Sequence, residues 1–404
     1  MMIDHDYMRR KNVGLIFDTM RLSDELFTKR ELQKATDLAW ATISKSINEL
    51  ETKEFIIEVS EGDDTVNADA GRPAKKYDIS SKKNLMIGID INIDSVQVVV
   101  IDIKCRVLYS KSSMIFEPER DYILSLAKLM IGNALKEFGD DKTMFLGIGF
   151  SLMSVVDAEN GIAVYSQHLK NWTNINFKQI FENEFGLPVL IEHDPNCCAI
   201  AEMNVGIGKK YKNICFLRLS FGIGMSMIIN GEIYKGNSGN AGEFGHMCMD
   251  MDGPYCSCGK KGCVETYASI SGIAARYRED ANKTPEYKGI SDRTVDSDMA
   301  IIQKTVKAAK NGDPLAQTYF DDAAKMLGIS ISNLIALINP DIIIMGGIFS
   351  EYSELYLDKT AEIVDEICWP YSKVNIELSA LEGNAAAIGA AALFIQKNVW
   401  EDII

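Results

Sequence analysis

Residues 213–234 read NICFLRLSFGIGMSMIINGEIY. An apolar run over Asn213 to Leu219 is followed by the turn Ser220-Phe221-Gly222, a second run over Gly224 to Ile229 and, after Asn230-Gly231, the short stretch Glu232 to Tyr234. Runs of this length bounded by Gly and Asn read as strands, and Asn-Gly supplies the positive φ angles of a two-residue hairpin turn. The same order occurs earlier as Met86-Ile87-Gly88-Ile89-Asp90-Ile91, then Val96 to Ile103, then Arg106 to Ser110. Two such meanders, each followed by helix-rich sequence, predict a duplicated α/β architecture with a ligand cleft between lobes. The closing parts are a buried-looking strand, Asp341 to Met345, ending at Gly346-Gly347, and an Ala-rich helix from about Asn384 to Gln396.

Just beyond the second meander stand Gly242-Glu243-Phe244-Gly245-His246 and Cys256-Ser257-Cys258-Gly259-Lys260-Lys261-Gly262-Cys263-Val264-Glu265. One imidazole and three thiolates close a tetrahedral zinc shell, and the glycines let the chain bend tightly enough for three sulfurs to reach one ion. His246, Cys256, Cys258 and Cys263 are therefore the expected ligands of a structural zinc, with no position left for catalytic water. Reduced cysteines in a surface loop are the plainer alternative, and Cys248 competes for a ligand place.

The chain of 404 residues is too long for one ordinary core. Hydrophobic content of 47% with 25% charged residues is that of a folded globular chain. No apolar run reaches the roughly 20 residues of a membrane span, and the opening MMIDHDYMRRKN lacks an apolar segment of the signal-peptide kind. A cytoplasmic protein with no membrane partner is expected, and the crowding of cysteines beside a histidine agrees with a metal site and not a disulfide framework. A formal charge of −15 argues against nucleic-acid binding over the whole surface, though not against a local reading module.

That module is sought at the N-terminus. Val13, Ile16, Phe17 and Met20 recur at helical spacing; Thr28 to Glu31 offers a capping box, after which Leu32 and Ala35 are expected to point inward. After a break at Asp37-Leu38, Ile43, Ile47 and Leu50 form an apolar stripe that leaves Trp40, Thr42, Ser44, Lys45 and Asn48 on the other side. A short helix, a tight turn and a second helix in this order let the second enter the major groove of DNA. Phe55 to Val59 and Lys76 to Ile79 are expected to pair as a wing, with the acidic stretch Glu61 to Ala70 between them and Arg72 and Lys75 near phosphates. A three-helix docking module is the alternative, and charge does not separate the two: residues 1–83 hold 14 Lys and Arg against 16 Asp and Glu.

On these motifs the chain resembles the ROK family of repressors and sugar kinases, which have the actin-like ATPase fold. The segment Gly-His…Cys-x-Cys-Gly-x-x-Gly-Cys-x-Glu carries the resemblance, with Ile338 to Gly347 similar to the family's nucleotide-side strand and turn. The N-terminal helices and Gly71-Arg72-Pro73 look like those of the xylose-type and N-acetylglucosamine-type repressors. The resemblance implies a winged helix-turn-helix over residues 1–83 and a sugar-kinase-like effector domain over 84–404, with lobe one about 84–195 plus the C-terminal helix and lobe two about 196–375. It places Asp194, in Glu192-His193-Asp194-Pro195-Asn196, where a kinase's general base would stand. It makes His193, Asp194, Glu243, His246 and Glu265 the sugar-binding set, with His246 using one ring nitrogen for zinc and the other for sugar; Glu243 and Glu265 otherwise only orient the zinc loop.

The departures from the family pattern favour a regulator over an enzyme. The kinase's Asp-x-Gly-Gly-Thr phosphate loop is here Asp90-Ile91-Asn92-Ile93-Asp94-Ser95, with side chains for glycines and added negative charge. A Gly-Thr-Gly turn becomes Ser220-Phe221-Gly222, and Pro-Gly becomes Ser151-Leu152. The expectation is a sugar-responsive repressor that binds operator DNA as a homodimer or homotetramer, with the sugar closing the lobes and changing the spacing of paired DNA-reading modules. The alternative is a ROK-type ATP-dependent sugar kinase with a DNA-binding appendage.

Overall fold

The computed structural model describes residues 5–59, 74–81, 83–166, 169–283, 297–381 and 383–396. It divides into two compact units, 1–204 with 384–404, and 205–383.

The first unit opens with α1 (His5–Arg21), β1 (Phe27–Thr28), α2 (Lys29–Thr36), α3 (Trp40–Thr52), β2 (Ile56–Val59) and β3 (Lys76–Ile79), the strands in the order β1-β3-β2. This is a winged helix-turn-helix. Val13, Ile16, Phe17 and Met20 of α1 are buried with Leu32, Ile43, Ile47 and Leu50, and Phe17 meets Phe55 edge-on at 5.9 Å. The capping box forms: Glu31 N donates to the Thr28 hydroxyl at 3.2 Å and Thr28 N to the Glu31 carboxylate at 2.7 Å. α2 then stops because Asp37 turns left-handed (φ 55°). Ala35 corrects the sequence reading, being exposed: the inward stripe of this short helix runs through Lys29, Leu32, Gln33 and Thr36, and Ala35 lies off it. The expected wing tip, with Arg72, lies outside the described residues.

The rest of the first unit is β4 (Leu85–Ile91), β5 (Ser95–Ile101), β6 (Val107–Met114), α4 (Arg120–Glu137), β7 (Phe145–Leu152), a small sheet of β8 (Val155–Asp157), β9 (Ile162–Tyr165) and β10 (Thr173–Asn176), α5 (Phe177–Phe185), β11 (Val189–His193) and α6 (Asp194–Val205). The main sheet has the order β11-β7-β4-β5-β6, with β4, β7 and β11 parallel and the β4-β5-β6 meander antiparallel. Among the described residues, contacts that tie the N-terminal module to this sheet domain include Arg21 Nη1 donating to Asn204 Oδ1 at 2.5 Å, Lys104, in the β5–β6 turn, pairing with Asp78 of β3 at 2.9 Å, and Asn84 Nδ2 donating to Glu54 O at 3.2 Å.

The second unit holds β12 (Ile214–Leu219), β13 (Ile223–Ile229), β14 (Glu232–Ile233), α7 (Glu265–Ala268), α8 (Ile270–Lys283), α9 (Asp298–Lys310), α10 (Pro314–Ile338), β15 (Ile342–Gly346), α11 (Leu357–Ile367) and β16 (Asn375–Leu378). Its sheet order, β14-β13-β12-β15-β16, reproduces the first: a meander, then two parallel strands added beside its first strand. The duplication predicted from the two meanders is thus present strand for strand, and the actin-like fold with it. Among the described residues no helix is long and apolar enough to cross a membrane.

The chain finally returns to the first unit as α12 (Ala385–Ala391), which continues as a short 3-10 turn over Ala392–Ile395. Its small side chains let it lie almost on the backbone of its neighbours. A Cβ at Gly149 of β7 would come 1.8 Å from Ala390 O, and one at Gly389 1.7 Å from Cys197 O of α6. Gly149→Ala is therefore expected to cost about 1–3 kcal/mol or more, because backbone must move to admit one methyl group. Urea unfolding followed by near-ultraviolet dichroism measures this, and an unchanged midpoint would contradict the close packing.

Candidate functional site

The ring of ligand atoms expected from the sequence comes together in the second unit. His246, Cys256, Cys258 and Cys263 offer one ligand atom each, all within 4.8 Å of one another. Cys256 Sγ lies 3.5 Å from His246 Nδ1 and Cys258 Sγ lies 3.7 Å from Cys263 Sγ. Bond lengths typical of zinc, placed at tetrahedral angles, give edges of about 3.6 Å for N to S and about 3.8 Å for S to S. The donor set therefore fits a tetrahedral thiophilic ion. Tight turns bring the ligands in: Gly262, at φ +63°, sits where a Cβ would come 1.5 Å from Asp250 O. Burial pushes the Cys263 thiol up to about 12, so a bound cation must displace a proton to hold it as thiolate. Cys248 is exposed and lies outside this ligand group.

Two carboxylates flank the cluster. Glu265, opening α7, accepts from Ile223 N at 3.0 Å through Oε2, while its Oε1 is 3.8 Å from Cys256 Sγ. It thus joins the cysteine loop to the Ser220-Phe221-Gly222 turn, where the Phe221 ring is buried and Ser220 N donates to Gly222 O at 2.9 Å. Glu243 Oε2 is 3.9 Å from His246 Nε2, the ring nitrogen turned away from Cys256. The half-exposed Glu243 and the free edge of the imidazole leave polar atoms for a ligand beside the cluster.

In the first unit, β11 ends at His193 and α6 starts at Asp194. Pairing of Leu152 with His193 and of Ser151 with Glu192 fixes this corner. Glu192 accepts from His193 N at 2.9 Å and from Asn196 Nδ2 at 3.0 Å. His193 Nε2 is 3.2 Å from Asp194 Oδ1, and the Asp194 side chain is nearly buried while the imidazole is partly exposed. The structure so brings His193 beside Asp194, and Glu243 and Glu265 beside the cysteine cluster; sequence reasoning missed the supporting role of Glu192.

The altered phosphate loop is closed on itself. Asn92 N donates to Ser95 O at 2.9 Å, and Asn92 Oδ1 accepts from Ile93 N at 2.8 Å, taking up an amide that an anion would need. Ser151, in the altered Ser151-Leu152 step, donates to Asp90 Oδ1 at 2.7 Å in a buried contact. β7 consequently runs as regular strand through that step.

On the N-terminal module, α3 exposes Trp40, Lys45 and Asn48 and half-buries Thr42 and Ser44, all opposite the buried Ile43, Ile47 and Leu50. Lys75 is exposed and its ammonium pairs with Glu58 on the adjacent strand. This face, Trp40 apart, is polar and is carried on a helix whose other side is core.

A family model described as ROK family matches residues 86–397. The xylose repressor of Caldicellulosiruptor bescii is 26% identical over 395 residues, 97% of this chain and 97% of its own length. A solved ROK family transcriptional regulator, described as a homologue of the E. coli MLC protein, superposes with a TM-score of 0.80 at 23% identity, over 98% of this chain and 97% of that one. A ROK family glucokinase from Streptomyces griseus, solved with glucose and AMPPNP, has a TM-score of 0.65 at 28% identity and covers 77% of this chain and 99% of its own.

Proposed function

The chain belongs to the ROK family, and from that premise we propose that it is a sugar-responsive transcriptional repressor with no kinase activity of its own. The observation that carries this reading is the full-length match to a xylose repressor, over 97% of both chains, where a family glucokinase covers 77% of this one. Residues 1–83 form the operator-reading domain in this proposal and 84–404 the effector domain. Trp40, Thr42, Ser44, Lys45 and Asn48 face base edges and phosphates, with Arg72 and Lys75 on the backbone. Two copies of the module in a homodimer would read half-sites about one helical turn apart.

The ion suited to one imidazole and three thiolates is Zn2+, held by His246, Cys256, Cys258 and Cys263 in a structural role. With Nδ1 of His246 on the metal side, Nε2 is left to a sugar hydroxyl beside Glu243 and Glu265, while His193 and Asp194 are the sugar-binding residues proposed for the first unit. D-xylose is the first effector to test, because the similar repressor carries that sugar in its name. The consumed Ile93 amide and the buried Phe221 ring argue against ATP use.

Helix α6 supplies a route from sugar to DNA within one compact unit. Asp194 begins it, Asn204 lies near its other end, about 15 Å away at helical rise, and Asn204 holds Arg21 of α1.

The test is thermal unfolding against a panel of monosaccharides and ATP with magnesium, followed by operator binding with the sugar that responds. A ligand bound only by the native state raises the melting temperature by mass action. The expected result is a shift with one free sugar, none with ATP, and weakened binding to a DNA fragment selected from a random pool. A shift with ATP that grows in the presence of sugar would overturn the reading in favour of a kinase.

A further inference from the structure

Cys248 is an exposed cysteine that the metal cluster does not use. Its backbone partner is Cys263, a ligand in that cluster, across an antiparallel bridge. The hydrogen bonds around the bridge define its type: Val264 N donates to Met247 O at 3.0 Å and Met249 N to Gly262 O at 2.8 Å. Neither cysteine's own amide takes part, so Cys248 and Cys263 are a non-hydrogen-bonded antiparallel pair. Pairs of this kind have Cα atoms about 4.5 Å apart and both side chains on the same face. A disulfide spans Cα separations of about 4.4–6.8 Å. A pair of this type has a backbone separation within the range a disulfide needs, so that closure asks chiefly for side-chain torsions to change.

We propose that Cys248 and Cys263 are a peroxide-driven disulfide site whose closure takes one ligand away from the metal cluster. This rests on the assignment of the cluster as a metal site. Cys248 is the entry point because it reaches solvent and its sulfur is not committed to the ion, whereas Cys263 is buried. The Cys248 thiolate attacks one oxygen of hydrogen peroxide; the O–O bond breaks, hydroxide leaves and takes a proton to become water, and Cys248 becomes a sulfenic acid. The Cys263 sulfur then attacks the Cys248 sulfur. The S–S bond forms, the S–O bond breaks, and the departing hydroxide becomes a second water. Two thiols have lost two electrons and one peroxide has been reduced to two waters. The cluster is left with His246, Cys256 and Cys258, one ligand short of a closed shell.

The consequence reaches beyond the loop, because Cys256 and His246 stand against Glu265 and Glu243, two groups assigned to the sugar. Oxidation would loosen both.

The experiment uses the metal-loaded full chain treated with hydrogen peroxide. Released metal is read with a chromogenic chelator, and cysteine linkages are mapped by mass spectrometry of non-reduced peptides. The expected result is metal release together with a Cys248–Cys263 linkage, both reversed by dithiothreitol and added Zn2+. Cys248→Ser should bind metal as the unaltered chain does and release it about tenfold or more slowly, since the resolving disulfide is unavailable to it. Equal release rates in the two proteins, or a dominant Cys258–Cys263 linkage, would overturn the proposal. A chain that purifies without metal would instead remove the metal assignment, while the peptide map would still decide whether Cys248 and Cys263 join.

Discussion

Cys256→Ser is expected to purify without stoichiometric metal and to lose its sugar response while still binding operator DNA. A serine hydroxyl is a poor substitute for a thiolate, and Cys256 stands at the centre of the contacts, 3.5 Å from His246 Nδ1 and 3.8 Å from Glu265 Oε1. In small zinc-finger peptides the metal supplies about 10–16 kcal/mol of apparent folding free energy. The loss here should be smaller, because β12 to β16 have a core of their own, and it should fall on residues 242–265. Hydrogen exchange is expected to rise across that segment and to change little in β4 to β7, which lie in the other unit. Sugar affinity should drop about tenfold or more: Glu265 and His246 lose their common anchor, and each mis-set hydrogen bond to a buried group costs about 1–3 kcal/mol. Elemental analysis, hydrogen exchange and fluorescence anisotropy on labelled operator measure the three effects. Full metal content with an unaltered exchange pattern would show that Cys256 is not one of the ion's ligands.

The His246 and cysteine cluster could be read before any fold was known because its four side chains fall within 18 residues of sequence, in an order that suits a tetrahedral ion. The capping box at Thr28 and Glu31 was legible for a similar reason: both partners lie three residues apart, and the reciprocal bonds follow from residue type. The meanders were legible as alternations of apolar runs and turns, and the matched sheet orders repeat what those runs imply. Ala35 was misplaced because helical periodicity fixes a face only when the helix is long enough to define its own phase, and α2 ends at the next residue. The contacts that pattern could not give are those across long separations. Ser151 to Asp90 spans 61 positions and Arg21 to Asn204 spans 183, and neither pair has a spacing rule. Arg72, read as a phosphate contact, lies outside the described residues. The phosphate-loop departures were visible as substitutions; that Asn92 spends its carbonyl oxygen on Ile93 N needed coordinates.

Arg21→Ala is expected to uncouple sugar from operator while leaving sugar binding by the free protein nearly unchanged. Arg21 is almost buried, its Nε and Nη2 held by Asp18 and its Nη1 by Asn204, itself buried on α6. Removing the guanidinium leaves the Asn204 oxygen without that partner, at a cost of about 1–3 kcal/mol. If α6 carries the effect of a ligand at Asp194 to the DNA-reading helices, this contact is where it is handed over, and typical coupling of about 1–3 kcal/mol corresponds to a 5- to 150-fold change in operator affinity. Linkage makes the test two-sided. Operator DNA must weaken sugar binding by the same factor by which sugar weakens operator binding, and both factors should fall towards one in the variant. Titration calorimetry with sugar, in the presence and absence of operator, gives one factor and anisotropy with and without sugar gives the other. A purely structural role has a different signature: operator affinity falls in both states by the same amount, and the ratio between them stays as it was. That outcome would confine Arg21 to docking α1 on α6 and move the coupling to another tie, such as Lys104 with Asp78 on the wing strand.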